Sequence, residues 1–84
     1  MTIQENWALP MTRIEAYLQS HDEARQISQG RYQIGGCEIS LQPLAESRAG
    51  SYAFPRTLVT FSGAEEDVER FHRQFMLRFL TLGG

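Results

Sequence analysis

The stretch RYQIGGCEISLQPL, residues 31–44, carries the clearest structural signal in this 84-residue chain. Apolar and polar residues alternate on both sides of its two central glycines, as in a half-buried hairpin with a two-residue turn. Glycine tolerates the positive φ that such a turn requires. The alternation predicts two cross-strand pairs whose side chains face a core: Ile34 with Cys37, and Tyr32 with Ile39.

Upstream of the hairpin, apolar side chains recur at three- and four-residue steps and predict an amphipathic helix over residues 11–28. Pro10 suits the first turn of this helix, where its missing N–H is not needed. Ser20 with Glu23 also has the pattern of a capping box, so two short helices broken near Ser20 are the alternative. Residues 1–9 are expected to form a polar lead-in.

Downstream of the hairpin, small and polar residues predict one long loop over 43–53. A third strand is expected at 54–61, which is rich in β-branched and aromatic residues. Pro55 near its start indicates an edge position, because proline cannot donate to a strand ladder. The last helix is predicted to begin at a capping box formed by Ser62 and Glu65.

The predicted fold class is α+β, with the order α-β-β-β-α in a single domain of residues 1–84. The simplest packing is a three-stranded antiparallel sheet with both helices on one face. The net charge of −2 gives no attractive overall field for nucleic acid or an anionic membrane. The start of the chain lacks the pattern of a signal peptide, and no apolar run is long enough to span a membrane. We therefore expect a cytoplasmic protein.

The sequence contains no residue set that completes a catalytic or metal site. His21 and His72 fall on inward or boundary helix positions, where packing explains them. Cys37 is the single cysteine and is expected to behave as a small buried hydrophobe. Lysine is absent, which excludes a Schiff-base or P-loop lysine. The sequence predicts no enzyme, no cofactor and no metal.

The pair Gly83-Gly84 resembles the end of ubiquitin-like sulfur carriers and modifiers. The glycine carboxylate of those proteins enters the active site of an adenylating partner. In those folds the tail follows a strand and the chain opens with a β-hairpin, whereas here a helix is predicted at both places. A glycine pair is also a common way to end a helix. The sequence therefore favours a helix stop.

The predicted element order also resembles the double-stranded-RNA-binding fold. Such domains grip phosphates with lysines at the start of the last helix, where this chain has acids at 65–67. Nucleic acid is therefore disfavoured as a partner. The alternative function is a nucleic-acid or small-ligand module that uses the loop of residues 43–56, with a patch formed by Arg31, Arg48 and Arg56.

The last helix carries more large apolar side chains than one face can bury. The excess is expected to form an interface made by Phe75, Met76, Leu77, Phe79 and Leu80. The sequence thus predicts a small non-catalytic interaction or accessory domain that associates as a homodimer or with a partner subunit. The alternative is that the N-terminal segment folds over this helix within the monomer.

Overall fold

A computed structural model describes residues 1–80 of the chain, with side chains as far as Phe79. The elements in chain order are β1 (Thr2–Trp7), α1 (Met11–Ser20), β2 (Ala24–Ser28), β3 (Arg31–Ile34), β4 (Cys37–Ala49), β5 (Tyr52–Gly63) and α2 (Glu65–Leu80). The strands form one antiparallel sheet in the order β1-β5-β4-β3-β2. The α+β class is confirmed, but the predicted three-stranded sheet is wrong because the sheet has five strands.

The central hairpin forms as its alternation predicts. Ile34 lies opposite Cys37, and Tyr32 lies opposite Ile39. All four side chains are buried, together with Leu41 farther along β4. The two-residue turn between β3 and β4 therefore sets the register that turns these side chains toward the helices.

Residues 1–9 are not a lead-in, because β1 pairs along the outer edge of β5 as far as Trp7 opposite Thr57. The sequence does not predict this strand because Glu5 occupies an inward position, where an apolar residue would complete the alternation. Glu5 is accommodated there by a contact with His72 of α2. A strand with a charged inward residue gives too weak a period-2 signal to recognise.

The predicted helix over 11–28 is also wrong in its second half. Helix α1 ends at Ser20, and residues 24–28 form the edge strand β2, in which Ala24 pairs with Ile34. The break lies where the two-helix alternative placed it, but the second piece is a strand. Most of β2 is exposed, so its sequence carries little hydrophobic pattern. Its hydrogen bonds to β3 hold it in the sheet.

The predicted loop over 43–53 is instead the continuation of the hairpin formed by β4 and β5. Strand β4 runs on to Ala49 and β5 begins at Tyr52, with one irregularity between Leu44 and Ser47. Pro43 remains inside β4, opposite Thr57. Proline is tolerated there because β3 pairs with β4 only as far as residue 40, which leaves this part of the outer edge unpaired.

The predicted capping box at the start of α2 is wrong. Ser62 lies in β5, and the helix begins only at Glu65. The Val68 amide donates to the Ala64 carbonyl at 2.9 Å, which makes Ala64 the residue that precedes the first turn. Gly63, at φ 141°, provides the abrupt change from strand to helix, a conformation that residues with a Cβ rarely adopt.

Both helices cover the same face of the sheet, as predicted. The fully buried core joins the inward residues of the sheet to one side of each helix. Its members are Ile14, Leu18, Tyr32, Ile34, Cys37, Ile39, Leu41, Val59, Phe61, Val68, Phe71 and Phe75. The opposite face of the sheet carries polar and hydroxyl side chains, so it resembles the solvated side of a two-layer fold.

Candidate functional site

A polar cluster joins β1 to α2 at the edge of the core. Nε2 of His72 lies 2.8 Å from Oε1 of Glu5, and the Trp7 indole N–H donates to the same oxygen at 3.0 Å. Burial opposes the charge of Glu5, but the hydrogen bonds from His72 and Trp7 outweigh it and hold the pKa of Glu5 below 4.5. The cluster fastens the first strand to the last helix.

Two aromatic residues of the predicted helix interface belong to the protein's own core. Phe75 is 1% exposed, and its ring centroid lies 5.0 Å from that of Tyr17 and 5.9 Å from that of Trp7. Phe79 is half-buried, with ring centroids 5.5 Å from Tyr17 and 5.8 Å from Trp7. The N-terminal strand therefore covers the part of this helix that carries Phe75 and Phe79.

The remaining positions of that predicted interface are less enclosed. Met76 is half-buried, and Leu77 is 60% exposed. The side chain of Leu80 and the pair Gly83-Gly84 lie outside the described residues. An interface on this side of α2 therefore stays a prediction, and so does the helix-stop interpretation of the two glycines.

The arginines of the predicted ligand patch do not share one surface. Both Glu38 carboxylate oxygens accept from Arg31 at 2.9 Å, and Arg56 donates through Nε to the Asn6 side-chain oxygen at 2.8 Å. Arg48 lies opposite Ala53, so strand alternation turns it to the other face from Arg56. The hairpin thus separates Arg48 from Arg56, and Arg31 and Arg56 each have an intramolecular partner.

Two of the surface depressions are places for a small ligand. A cleft of about 310 Å³ is lined by apolar groups near the start of α1 and the end of α2, including Trp7, Leu9 and Phe79. A more open, polar depression of about 450 Å³ lies beside β2, with Asp22 and Arg25 in its wall. Neither brings together a nucleophile and a base, so neither has the arrangement of an active site.

The most distinctive surface is the far end of the β4–β5 hairpin, here called the arm and defined as residues 45–55. Every residue of the arm is exposed. The arm extends beyond its neighbours in the sheet, because β1 ends opposite Thr57 and β3 pairs with β4 only as far as residue 40. Both of its edges are therefore free of any strand within residues 1–80.

Two aromatic side chains stand on one face of the arm. Tyr52 is 70% exposed and Phe54 is 43% exposed, and their rings stack with centroids 6.4 Å apart at an angle of 29°. Strand alternation places both on the face that carries Arg56, opposite the face that holds the helices. The sequence signal for this surface is the two-residue spacing of Tyr52 and Phe54. The predicted boundary between the loop over 43–53 and the next strand falls between these two residues.

The described part of the chain contains no group of three or more histidine, cysteine or acidic residues that could hold a metal ion. None of its helices is long and apolar enough to cross a membrane. The Cys37 thiol is buried, and that burial raises its pKa above 9.0, which makes it a poor nucleophile.

Comparison with known proteins places the chain in a family without specifying its activity. No curated protein matches it significantly. Residues 5–84 match the family described as "Archaeal MoaD-like protein", which is nearly the whole sequence. The chain belongs to the archaeal MoaD-like protein family.

Proposed function

We propose that this protein is a small cytoplasmic, non-catalytic interaction domain that acts through protein–protein association, with the arm as its contact surface. The observation that carries the proposal is the arm itself, in which residues 45–55 are all exposed and Tyr52 and Phe54 stack in solvent. Exposed strand edges and exposed aromatic pairs are features that proteins normally cover or use. Aromatic residues are also enriched where interfaces concentrate their binding energy.

The arm is a better contact surface than the last helix for a physical reason. Phe75 and Phe79 of α2 already pack against Trp7 and Tyr17, so a partner gains little by covering them. The aromatic rings of the arm stack on each other but stay largely exposed, and burying them removes apolar area from water at about 25 cal/mol per Å². Association through the arm therefore adds burial that the folded monomer does not already have.

The test is site-specific photo-crosslinking in the cells that produce the protein. Tyr52 is replaced by a benzophenone amino acid, which keeps an aromatic ring at the tip of the arm. The matched control carries the same group at Arg73, an exposed position on α2. We expect a covalent protein adduct from position 52 and none from position 73.

Mass spectrometry of the adduct identifies the protein bound to the arm. The adduct must also disappear when Phe54 is replaced by serine, because that change removes the stacked partner of the probe. Equal crosslinking at positions 52 and 73, or no adduct at position 52, would overturn the proposal.

A second candidate function is that of a small sulfur-carrier-like protein. It is favoured by the family match, which extends to residue 84, and by the pair Gly83-Gly84. In such a carrier the terminal glycine carboxylate is activated by an adenylating partner and then accepts sulfur. The fold argues against a close likeness, because the tail follows helix α2 and β1 pairs with β5 instead of opening a hairpin.

Intact-mass spectrometry of the protein isolated from its own cells tests the carrier function. We expect a species in which one sulfur replaces one oxygen, located at Gly84 by fragmentation and lost when Gly84 is deleted. The same spectrum shows whether Gly84 is the last residue of the mature protein. A single unmodified species in cells supplied with sulfur would contradict the carrier function and leave the interaction proposal standing.

A further inference from the structure

We propose that the arm binds a second copy of this chain, through antiparallel pairing of two β4 edges around a two-fold axis at Ser47. This inference rests on the proposed function and names its partner and its register. Strand addition at a free sheet edge supplies main-chain hydrogen bonds, and the side chains along the edge set the specificity. The arm offers two edges, and they differ in their ability to accept a strand.

The outer edge of β5 is the poorer of the two. Ala49 and Tyr52 close the two-residue turn and hydrogen-bond to each other. Counting from this pair, the backbone N–H and C=O groups of every second residue of β5 point toward its outer edge. In the arm, the residues of β5 whose backbone groups point toward the outer edge are Ala53 and Pro55. Proline has no N–H to donate, so Pro55 interrupts any ladder on this edge.

The outer edge of β4 contains no proline within the arm, and its one irregularity, between Leu44 and Ser47, leaves an N–H on every residue from Ala45 to Ala49. Arg48 lies opposite Ala53 in a pair that is not hydrogen-bonded across the arm. The backbone N–H and C=O of Arg48 therefore point away from β5 and toward the free edge of β4. Ser47 pairs with Phe54 on the inner side. In a pair of β4 edges, Ser47 therefore becomes a close, non-hydrogen-bonded position.

The side chains along this edge are complementary to themselves. The sequence from Ala45 to Ala49 is Ala-Glu-Ser-Arg-Ala, which has acid and base at equal distances on either side of Ser47. Antiparallel pairing about Ser47 places Glu46 of each copy opposite Arg48 of the other, and the outer alanines opposite each other. Opposite charges directly across a strand pair are stabilising, and like charges are destabilising.

Both charged side chains are available for this pairing. Among residues 1–80, neither Glu46 nor Arg48 takes part in an ion pair. Because the same edge is used by both copies, the contact is isologous and ends at two chains. The two sheets would join into one continuous sheet of ten strands, with each copy contributing its five.

Charge reversal tests the register. Glu46→Arg and Arg48→Glu each place like charges at both cross-strand positions, and we expect either variant to weaken self-association at least about tenfold in sedimentation equilibrium. The double variant E46R/R48E restores the complementary pattern and should dimerise like the wild type. An equimolar mixture of the two single variants should form a heterodimer.

A cysteine at the axis gives a geometric readout. Ser47→Cys brings two thiols within the Cα separation that a disulfide accepts, so we expect rapid oxidation to a disulfide-linked dimer. The control is Ala53→Cys, on the β5 edge of the same arm, which should stay monomeric under the same oxidant. The native Cys37 is buried and does not compete.

The result separates the inference from the proposed function. A wild-type protein that stays monomeric at high micromolar concentration, with no Ser47→Cys disulfide, would overturn self-pairing. An adduct of the Tyr52 probe with a different protein would still support association through the arm. Failure of the double variant to restore the dimer would show that the register about Ser47 is wrong.

Discussion

The same two strands, β4 and β5, pass through two very different environments. In the body, defined as residues 1–44 and 56–80, these strands carry fully buried inward side chains such as Ile39, Val59 and Phe61. In the arm, which continues the same ladder, every side chain is exposed. The β4–β5 ladder therefore continues into the arm through backbone pairing alone, whereas the buried side chains that stabilise the fold all lie in the body.

The difference has an energetic meaning. A fully buried large apolar side chain contributes about 1.5–3 kcal/mol relative to an exposed one, and the body holds the whole set of such residues. An isolated two-stranded hairpin is at best marginally stable in water. The arm keeps its shape because its strands are anchored in the body, so substitutions in the two regions should have unequal effects.

The largest effect is expected from Phe75→Ala in the body. This change empties the centre of the aromatic cluster around Trp7 and Tyr17, and it should lower the free energy of unfolding by about 3–5 kcal/mol in urea titrations. The matched change in the arm is Phe54→Ala, which should cost less than about 0.5 kcal/mol. Equal losses at the two positions would remove the distinction between body and arm.

A smaller but clear contrast is expected between two glycines. A Cβ at Gly63, where φ is 141°, would collide with the Gly36 carbonyl, so Gly63→Ala should cost at least about 2 kcal/mol. Gly50 at the tip of the arm has φ 64° and open space around it, so Gly50→Ala should cost only about 1 kcal/mol. Thermal unfolding of both variants measures the difference, and a costlier change at Gly50 would contradict it.

The smallest expected effect is a pH dependence of the body. The pKa of Glu5 is lowered in the folded state, so its stabilisation is complete above about pH 4.5 and is lost as the pH falls through the folded pKa. Glu5→Gln should reduce the loss of stability at acid pH. At neutral pH it should lower the free energy of unfolding by less than about 1 kcal/mol, because the pair with His72 is partly solvated.

The control for this dependence is Glu46→Gln in the arm, measured by urea unfolding at a concentration where the protein is monomeric. It should leave the acid slope of the wild type unchanged. The same slope in wild type and Glu5→Gln would mean that Glu5 does not contribute.

The sequence predicts the fold well only where burial imposes a strict pattern. The hairpin around Ile34 and Cys37 is predicted with its register because every second residue enters the core. The sequence does not predict β1, because Glu5 occupies an inward position. It does not predict β2, because Ala24 is followed by exposed residues that also suit a helix. Tertiary pairing decides these segments, and a local pattern does not contain it.

The candidate site was harder to predict than the fold. The arm reads as a loop because its small and polar residues face no core, and Pro43 suggests the end of a strand. The predicted arginine patch failed to assemble because Arg48 and Arg56 fall on opposite faces of the hairpin, which only the register reveals. Surface function depends on such geometry, whereas hydrophobic patterning reports on the interior.

Cys37 is a buried thiol whose reactivity reports opening of the body. It is the single cysteine, it is fully buried at the start of β4, and burial raises the pKa of its thiol. Reaction with a thiol reagent must therefore wait for the hairpin of β3 and β4 to open, so its rate counts opening events. The arm carries no thiol and is invisible to this measurement. A slower reaction of Cys37 at high protein concentration would mean that association through the arm reduces the opening of the hairpin formed by β3 and β4.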